Sequence, residues 1–200
     1  MIVNEVFESI QGEGPDIGRY STFVRLAGCN RNCEFCDTKY ARTNGFEVTL
    51  ESIADTITDR GNNNVVFTGG EPALQFGAID ELIGMLSSSF RVSIETNGTI
   101  KFPVDAFKYV VVSPKQFEDW EYWIDKDVFF KLVVNEENID KMFSMVTKIK
   151  DSLINPVYFM PEGMFEEEVF IRSSLIVKKL SEYKIDGILS PRLHIMLGVR

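Results

Sequence analysis

Apolar residues in this chain come in short blocks of two kinds. Segments near 2–7, 21–27, 64–68, 91–95, 108–112, 128–134 and 156–160 alternate or run continuously between polar or glycine-containing stretches, which predicts strands. Between several of them lie Leu50, Ile53, Ala54 and Ile57, then Ile79, Leu82, Ile83 and Leu86, then Ile139, Met142, Phe143 and Val146. Each set recurs at i, i+3, i+4 and i+7 and so paints one apolar stripe on a helix. A fourth helix is predicted over 165–183, which is rich in apolar residues and has no proline. Alternating strands and helices predict an α/β fold, with mainly parallel strands joined by right-handed crossovers and helices packed outside a curved sheet. No internal repeat, low-complexity tract or linker divides the chain, and a single domain over 1–200 is expected.

In such a sheet reactive residues gather in the loops after the carboxyl ends of strands. Cys29 follows the strand ending near Leu26, and Gly69-Gly70-Glu71-Pro72 follows Val65-Val66-Phe67. Glu95-Thr96-Asn97-Gly98 follows Val92-Ser93-Ile94, and Ser113-Pro114-Lys115 follows Tyr109-Val110-Val111-Val112. Four strand ends are therefore expected to face one cavity.

Charge narrows the partners. With 21 basic and 30 acidic residues the chain carries a net charge of -9, which repels a phosphate backbone, so direct nucleic-acid binding is not expected. The opening Met1 to Glu8 has neither a basic leader nor a long apolar segment, and no later run approaches the roughly 18 apolar residues of a membrane span. A cytoplasmic protein without a membrane partner is expected. In that compartment an odd, clustered set of cysteines speaks for metal or redox chemistry and against disulfides.

The cysteines Cys29, Cys33 and Cys36 form one Cys-x-x-x-Cys-x-x-Cys motif and have no fellow elsewhere. Three thiolates can hold three corners of a cubane iron–sulfur cluster and leave the fourth iron open to a reactant. The same residues with His194, the single histidine, could instead hold a structural zinc ion in a non-catalytic binding module. The paired Gly69 and Gly70 allow a ligand to approach the backbone closely, and Glu71 is placed to receive an ammonium group.

The triad, Phe35 between its last two cysteines and the Gly-Gly-Glu-Pro strand end resemble the radical S-adenosylmethionine superfamily. Further motifs narrow the resemblance: Glu8-Ser9-Ile10-Gln11-Gly12-Glu13-Gly14-Pro15, Phe23 to Cys29, Cys36-Asp37-Thr38, Thr68 to Pro72, Glu95 to Gly98, Ser113-Pro114-Lys115 and Arg192-Leu193-His194. Together they are similar to the 7-carboxy-7-deazaguanine synthase family, over residues 8 to about 194. The resemblance implies an abbreviated partial (β/α) barrel of the radical S-adenosylmethionine type. It implies a carbon–nitrogen lyase that turns 6-carboxy-5,6,7,8-tetrahydropterin into 7-carboxy-7-deazaguanine with loss of ammonia, by radical ring contraction on the route to queuosine and other deazapurines. Its cofactors would be a 4Fe-4S cluster, S-adenosylmethionine and Mg2+, its partners an electron donor such as a flavodoxin or ferredoxin and a second copy in a homodimer.

Residue by residue, the resemblance implies substrate contacts from Ile10, Gln11, Gly12, Glu13, Arg25 and Thr68, with Arg25 near the carboxylate, where its planar fork suits two charge-assisted hydrogen bonds. Phe35, Asp37, Gly70, Glu71, Ser113, Pro114 and Lys115 would meet adenosylmethionine, Thr38 would hold magnesium, and Arg25, Thr38 and Glu95 would serve catalysis. Asn97 is a further candidate for the cavity. The chain departs from the family at Met160-Pro161-Glu162-Gly163, where many members have Gln-Pro, and the role of its Gly198-Val199-Arg200 end is open. For His194 a structural hydrogen bond is favoured. A glycyl-radical activase, which also has a short chain and this triad, would act on a protein partner and is disfavoured by Ile10 to Gly14 and Ser113 to Lys115.

Overall fold

The structure, a computed structural model, describes residues 1–163 and 166–199. Its sheet has the order β3-β1-β2-β4-β5-β6-β7-β8-β9, from β1 (Ile2–Ile10), β2 (Tyr20–Leu26), β3 (Phe46–Glu47), β4 (Asn64–Gly69), β5 (Arg91–Thr96), β6 (Tyr109–Val112), β7 (Phe129–Val134), β8 (Val157–Pro161) and β9 (Gly187–Leu189). β1 runs antiparallel to both β2 and β3, and every later pair is parallel. The ends β3 and β9 do not pair, so the curled sheet is an open, partial barrel. Helices α1 (Leu50–Asp59), α2 (Phe76–Met85), α3 (Ile139–Ile149), α4 (Glu166–Tyr183) and α5 (Leu193–Met196) complete the regular structure.

The strand period of two separates two layers. Val24 and Leu26, Val65 and Phe67, Val92 and Ile94, Val110 and Val112, Phe130 and Leu132, and Val157 and Phe159 join Ile53, Ile57, Ile79, Leu82, Phe143 and Ile176 of the helices in one buried core. The intervening residues Phe23, Arg25, Thr68, Glu95, Lys131, Val133 and Met160 line the concave side. Phe7, Phe23 and Val66 form a separate apolar cluster of their own, with the rings of Phe7 and Phe23 stacked at 5.1 Å. Local chemistry fixes the helix starts: Thr49 Oγ1 accepts from Ser52 N at 3.3 Å ahead of α1, and the side chain of Glu71 caps a short turn over Pro72–Gln75 ahead of α2.

The mainly parallel sheet expected from the sequence is the one found, and two details add to it. The first strand is antiparallel, because its connection to β2 is too short for a crossover. Two crossovers lack a helix: residues 97–108 and 113–128 contain no α-helix. Aromatic side chains cover the sheet there instead, with Trp120 stacked on Phe130 at 4.7 Å and Phe102 edge-on to Trp123 at 5.0 Å. Trp123 also donates from Nε1 to Gly98 O at 2.9 Å. Truncating such fully buried rings costs about 3–5 kcal/mol. The sequence pattern did not show β3, β9 or α5, each too short to display a period. The predicted helix over 165–183 is α4, and its first residue, Phe165, lies outside the described residues, as does Arg200. Among the described residues no helix is long and apolar enough to cross a membrane.

Candidate active site

A cavity of about 590 Å³ opens on the concave face. Its walls come from the carboxyl ends of β2, β4, β5, β6, β7 and β8, two more strands than the sequence motifs mark. Where the partial barrel fails to close, the loop after β1 crosses the gap. Gly14 N approaches Ser190 Oγ at 3.4 Å, Leu193 N donates to Gly12 O at 2.9 Å, and Arg91 at the start of β5 reaches Asp16 at 3.5 Å. This loop must lie tight against the carboxyl-terminal segment, since a β-carbon on Gly12 would overlap the His194 imidazole.

On one wall stands the cysteine loop. Cys29, Cys33 and Cys36 are unpaired, half-buried thiols that all line the cavity. Neighbouring loops hold theirs in place. Arg31 Nη2 donates to both carboxylate oxygens of Asp119 at 2.7 and 3.0 Å, and Asp119 also accepts from the backbone of Lys115 and Gln116. Asn30 is bracketed by Thr99 and Asn97, and Arg42 Nη2 donates to Cys33 O at 2.6 Å. Gly70 lies directly behind, where a β-carbon would strike Gly28 O and approach Cys29 Cβ to 3.1 Å. Among the described residues no three His, Cys, Asp or Glu side chains converge on the position of one metal ion. Three thiols spaced along one cavity loop suit the three corners of a cubane cluster. Burial pushes the Cys29 thiol above its ordinary range.

Next along this loop, Thr38 Oγ1 donates to Asp37 Oδ1 at 2.8 Å, and Arg192 Nη1 donates to Asp37 Oδ2 at 2.6 Å. Partial burial alone would raise Asp37, but the Thr38 hydroxyl and the Arg192 charge outweigh it and hold the carboxyl below the usual range. Lys115 Nζ donates to Ser113 Oγ at 2.7 Å and lies 5.4 Å from the Phe35 ring centre. Burial, with the Lys131 charge nearby, lowers Lys115 to about 8.

Across the cavity the wall is a charged network. Lys131 from β7 ion-pairs with Glu13 and, at 3.2 Å, with Glu95 Oε2, while Gln11 Nε2 donates to Glu95 Oε1 at 2.9 Å. Burial pushes Glu95 up, but the Lys131 charge and these hydrogen bonds bring it below the ordinary carboxylate range. The same two carboxylates hold Lys131 above the usual lysine value despite its burial. Arg25 Nε donates to Glu5 Oε1 at 2.9 Å, and the guanidinium lies 5.3 Å from the Phe7 ring centre. Burial depresses His194, which leaves its imidazole neutral near pH 7.

Most residues singled out from the sequence lie on this surface: Ile10, Gln11, Gly12, Glu13, Arg25, Phe35, Asp37, Thr38, Thr68, Gly70, Glu95, Asn97, Ser113, Lys115 and His194, with the cysteines. Two do not. Glu71 is fully buried, and its carboxylate accepts from Thr96 Oγ1, Ala73 N and Asn97 N, so it ties the exit of β4 to that of β5 and does not face a ligand. Pro114 is buried between Ser113 and Lys115 and is not part of the wall. Sequence reasoning missed Lys131, Arg31, Arg42, Arg172 and the cavity position of Arg192, and it left open the role of Glu162, which also lines the wall. Lys131 alone left a trace, as the one charge inside Phe129-Phe130-Lys131-Leu132-Val133-Val134.

Residues 24–116 match the Radical SAM superfamily. A 7-carboxy-7-deazaguanine synthase of Hyperthermus butylicus is 36% identical over 98% of this chain and 92% of its own length. The enzyme of that name from Clostridium acetobutylicum is 36% identical over 80% of each chain. The crystal structure of QueE from Escherichia coli superposes with a TM-score of 0.74 at 23% identity, covering 96% of this chain and 94% of that one. With its open α/β barrel, its cysteine loop and these relatives, the chain belongs to the 7-carboxy-7-deazaguanine synthase family of radical S-adenosylmethionine enzymes.

Proposed function

We propose that this chain, acting as one catalytic domain, converts 6-carboxy-5,6,7,8-tetrahydropterin to 7-carboxy-7-deazaguanine with loss of ammonia. Membership of the family implies a 4Fe-4S cluster and S-adenosylmethionine. Mg2+ belongs to the proposal, as do the electron donor, of flavodoxin or ferredoxin type, and a homodimer. The observation that carries the reading is the division of one cavity between a thiol loop and a wall of hydrogen-bonding charges. When bound, the cluster and adenosylmethionine supply the one-electron chemistry that removes a substrate hydrogen and later returns one.

The chain's own residues do the rest. Cys29, Cys33 and Cys36 hold the cluster, with Arg31, Asn30 and Arg42 fixing their loop. Gly70, which presents bare backbone beside Cys29, together with Phe35, Ser113 and Lys115, receives adenosylmethionine. Ile10, Gln11, Gly12, Glu13, Thr68 and Glu95 border a flat ring whose edge carries N–H donors, and Arg25 takes its carboxylate. Thr38 offers the hydroxyl oxygen and Asp37 a neighbouring ionised carboxylate, a fit for a hard cation that keeps much of its water. Enclosure matters because an unconfined radical would attack solvent or protein.

Anaerobic reconstitution with iron and sulfide, followed by the pterin, adenosylmethionine, Mg2+ and reductant, should yield the deazaguanine acid by mass spectrometry. Adenosylmethionine cleavage with the pterin untouched would leave superfamily membership standing and sink this substrate. Cys33→Ala should abolish cleavage, whereas Thr38→Ala should keep the cluster and slow ring contraction; equal cluster loss in both contradicts the assigned roles.

A further inference from the structure

Lys131 sits where a β-strand in this fold has every reason to be apolar. Its neighbours Phe130 and Leu132 enter the helix-covered core, and its own side chain, 8% exposed, turns to the cavity between Glu13 of the loop after β1 and Glu95 of β5. The two carboxylates come from segments 82 positions apart (95 − 13) and meet on this one ammonium. Gln11 further ties down Glu95 and, through its Oε1, the backbone N of Glu13 at 3.2 Å.

We infer that Lys131 is a positioning residue for the substrate: its ammonium clamps Glu13 to Glu95 across the cavity and keeps both as acceptor-only carboxylates for the donor edge of the ring. The inference deepens the proposed function and rests on it. Two largely enclosed carboxylates that share a site with no cation between them repel each other and favour taking up one proton between them. A proton shared by the pair would turn an acceptor into a donor, and donor would then face donor where the ring presents N–H groups.

Other titratable groups surround the clamp. Arg25 approaches the carboxylates from β2, Lys115 from the loop after β6, Tyr109 from β6 and His194 from α5, while Asp37 of the cysteine loop faces Lys131. Arg25 is engaged by Glu5, Lys115 by Ser113, and His194 is neutral. Among the described residues, Lys131 is thus the cation in direct contact with both carboxylates.

Wild type, Lys131→Met and Lys131→Arg, each reconstituted anaerobically, separate clamp from scaffold. The readouts are kcat/KM for 6-carboxytetrahydropterin between about pH 6 and 9 and adenosylmethionine cleavage without the pterin. Lys131→Met should retain that uncoupled cleavage and lose about 100-fold in kcat/KM near neutrality, mostly through KM. Its activity should recover with rising pH along a limb of unit slope, absent from wild type and from Lys131→Arg, as the shared proton leaves. An equal loss at every pH, or no loss, overturns the inference. Infrared difference spectra read the same proton without turnover: a carboxylic-acid band present at neutral pH in Lys131→Met and absent from wild type supports the clamp, and its absence from the variant refutes it. If wild type leaves the pterin untouched, the substrate reading fails while the infrared result still decides what the lysine does. Lys131→Gln is the second neutral variant should the methionine chain not fold.

Discussion

Replacing Glu71 by glutamine isolates what a buried carboxylate contributes to the frame of the site. Its Oε1 accepts from Thr96 Oγ1 at 2.7 Å and Ala73 N at 2.9 Å, and its Oε2 accepts from Asn97 N at 2.6 Å. Both oxygens therefore face a backbone N–H, yet a glutamine amide has one oxygen and one NH2, so one buried donor must meet another. That mismatch costs about 1–3 kcal/mol. Relief of the buried charge opposes it, because burial lifts the Glu71 carboxyl above its usual value in spite of the three hydrogen bonds. That lifted value means burial outweighs the three bonds for the ionised form, so the net cost is the donor mismatch less the relief of charge, about 1 kcal/mol for Glu71→Gln, whereas Glu71→Ala leaves all three donors unpaired and costs about 4 kcal/mol. In urea the apo chain's midpoint should fall by about 0.5 M for glutamine at an m-value of about 2 kcal/mol/M. The folded-state pKa is raised, so the folded chain takes this proton before the unfolded one. Wild type should thus gain on the glutamine variant as pH falls toward 4.5, the usual value. An unchanged or higher midpoint for Glu71→Gln would show that relief of the buried charge outweighs the donor mismatch, and the view of Glu71 as a strut would fall.

Three further outcomes can be checked on the same apparatus. Gly69→Ala places a β-carbon into the Leu26 backbone at a φ of +134°, whereas Gly77→Ala on α2 meets nothing within 4 Å. The first should cost at least about 3 kcal/mol and the second add about 0.5–1 kcal/mol, and thermal melts of the same sign would contradict the geometry. Asp119→Ala frees the Arg31 guanidinium and two backbone N–H groups, so stability should drop by about 3 kcal/mol and bound iron per chain should fall on reconstitution. Full iron content with an unmoved midpoint would sink the latch. Lys131→Met alone should destabilise by about 3 kcal/mol, whereas the triple change Lys131→Met, Glu13→Leu, Glu95→Leu should match or exceed wild-type stability in denaturant, and a triple variant weaker than the single one would refute that pairing.

What the sequence made legible follows the range of each interaction. Strands and helices were visible because a period of two or of 3.6 is a local property, and the cysteine loop because its three ligands lie within one turn of chain. The glycine-rich and Ser-Pro-Lys segments could be placed at one rim because a parallel sheet brings all its strand ends to the same side. What could not be read was pairing across the barrel. Arg192 meets Asp37 from 155 positions away and Arg31 meets Asp119 from 88, and neither partner's local pattern marks the other. Glu71 was misjudged for a related reason: a carboxylate beside two glycines looks accessible until the β5 exit folds over it and adds two donors to the one from Ala73 N in its own turn. The antiparallel first strand likewise needed the length of one loop weighed against the length of a crossover.

Those cross-barrel pairs explain why the barrel is left open. A closed barrel of this type fills its interior with layers of branched apolar side chains, and that filling is what holds its strands together. Here the inward positions of β2, β4, β5 and β7 include Arg25, Thr68, Glu95 and Lys131, so the interior contributes charge where it would otherwise contribute apolar burial. Cohesion is carried by the outer layer, in which alternate residues of the same strands pack beneath the helices and the Trp120 and Trp123 loop. The two faces of one strand thereby have separate duties, and Phe130-Lys131-Leu132 shows both within three residues. It follows that the triple apolar variant should be a better folded barrel and a worse enzyme: it restores the filling that the fold tolerates losing and removes the charges that a donor-edged ring requires.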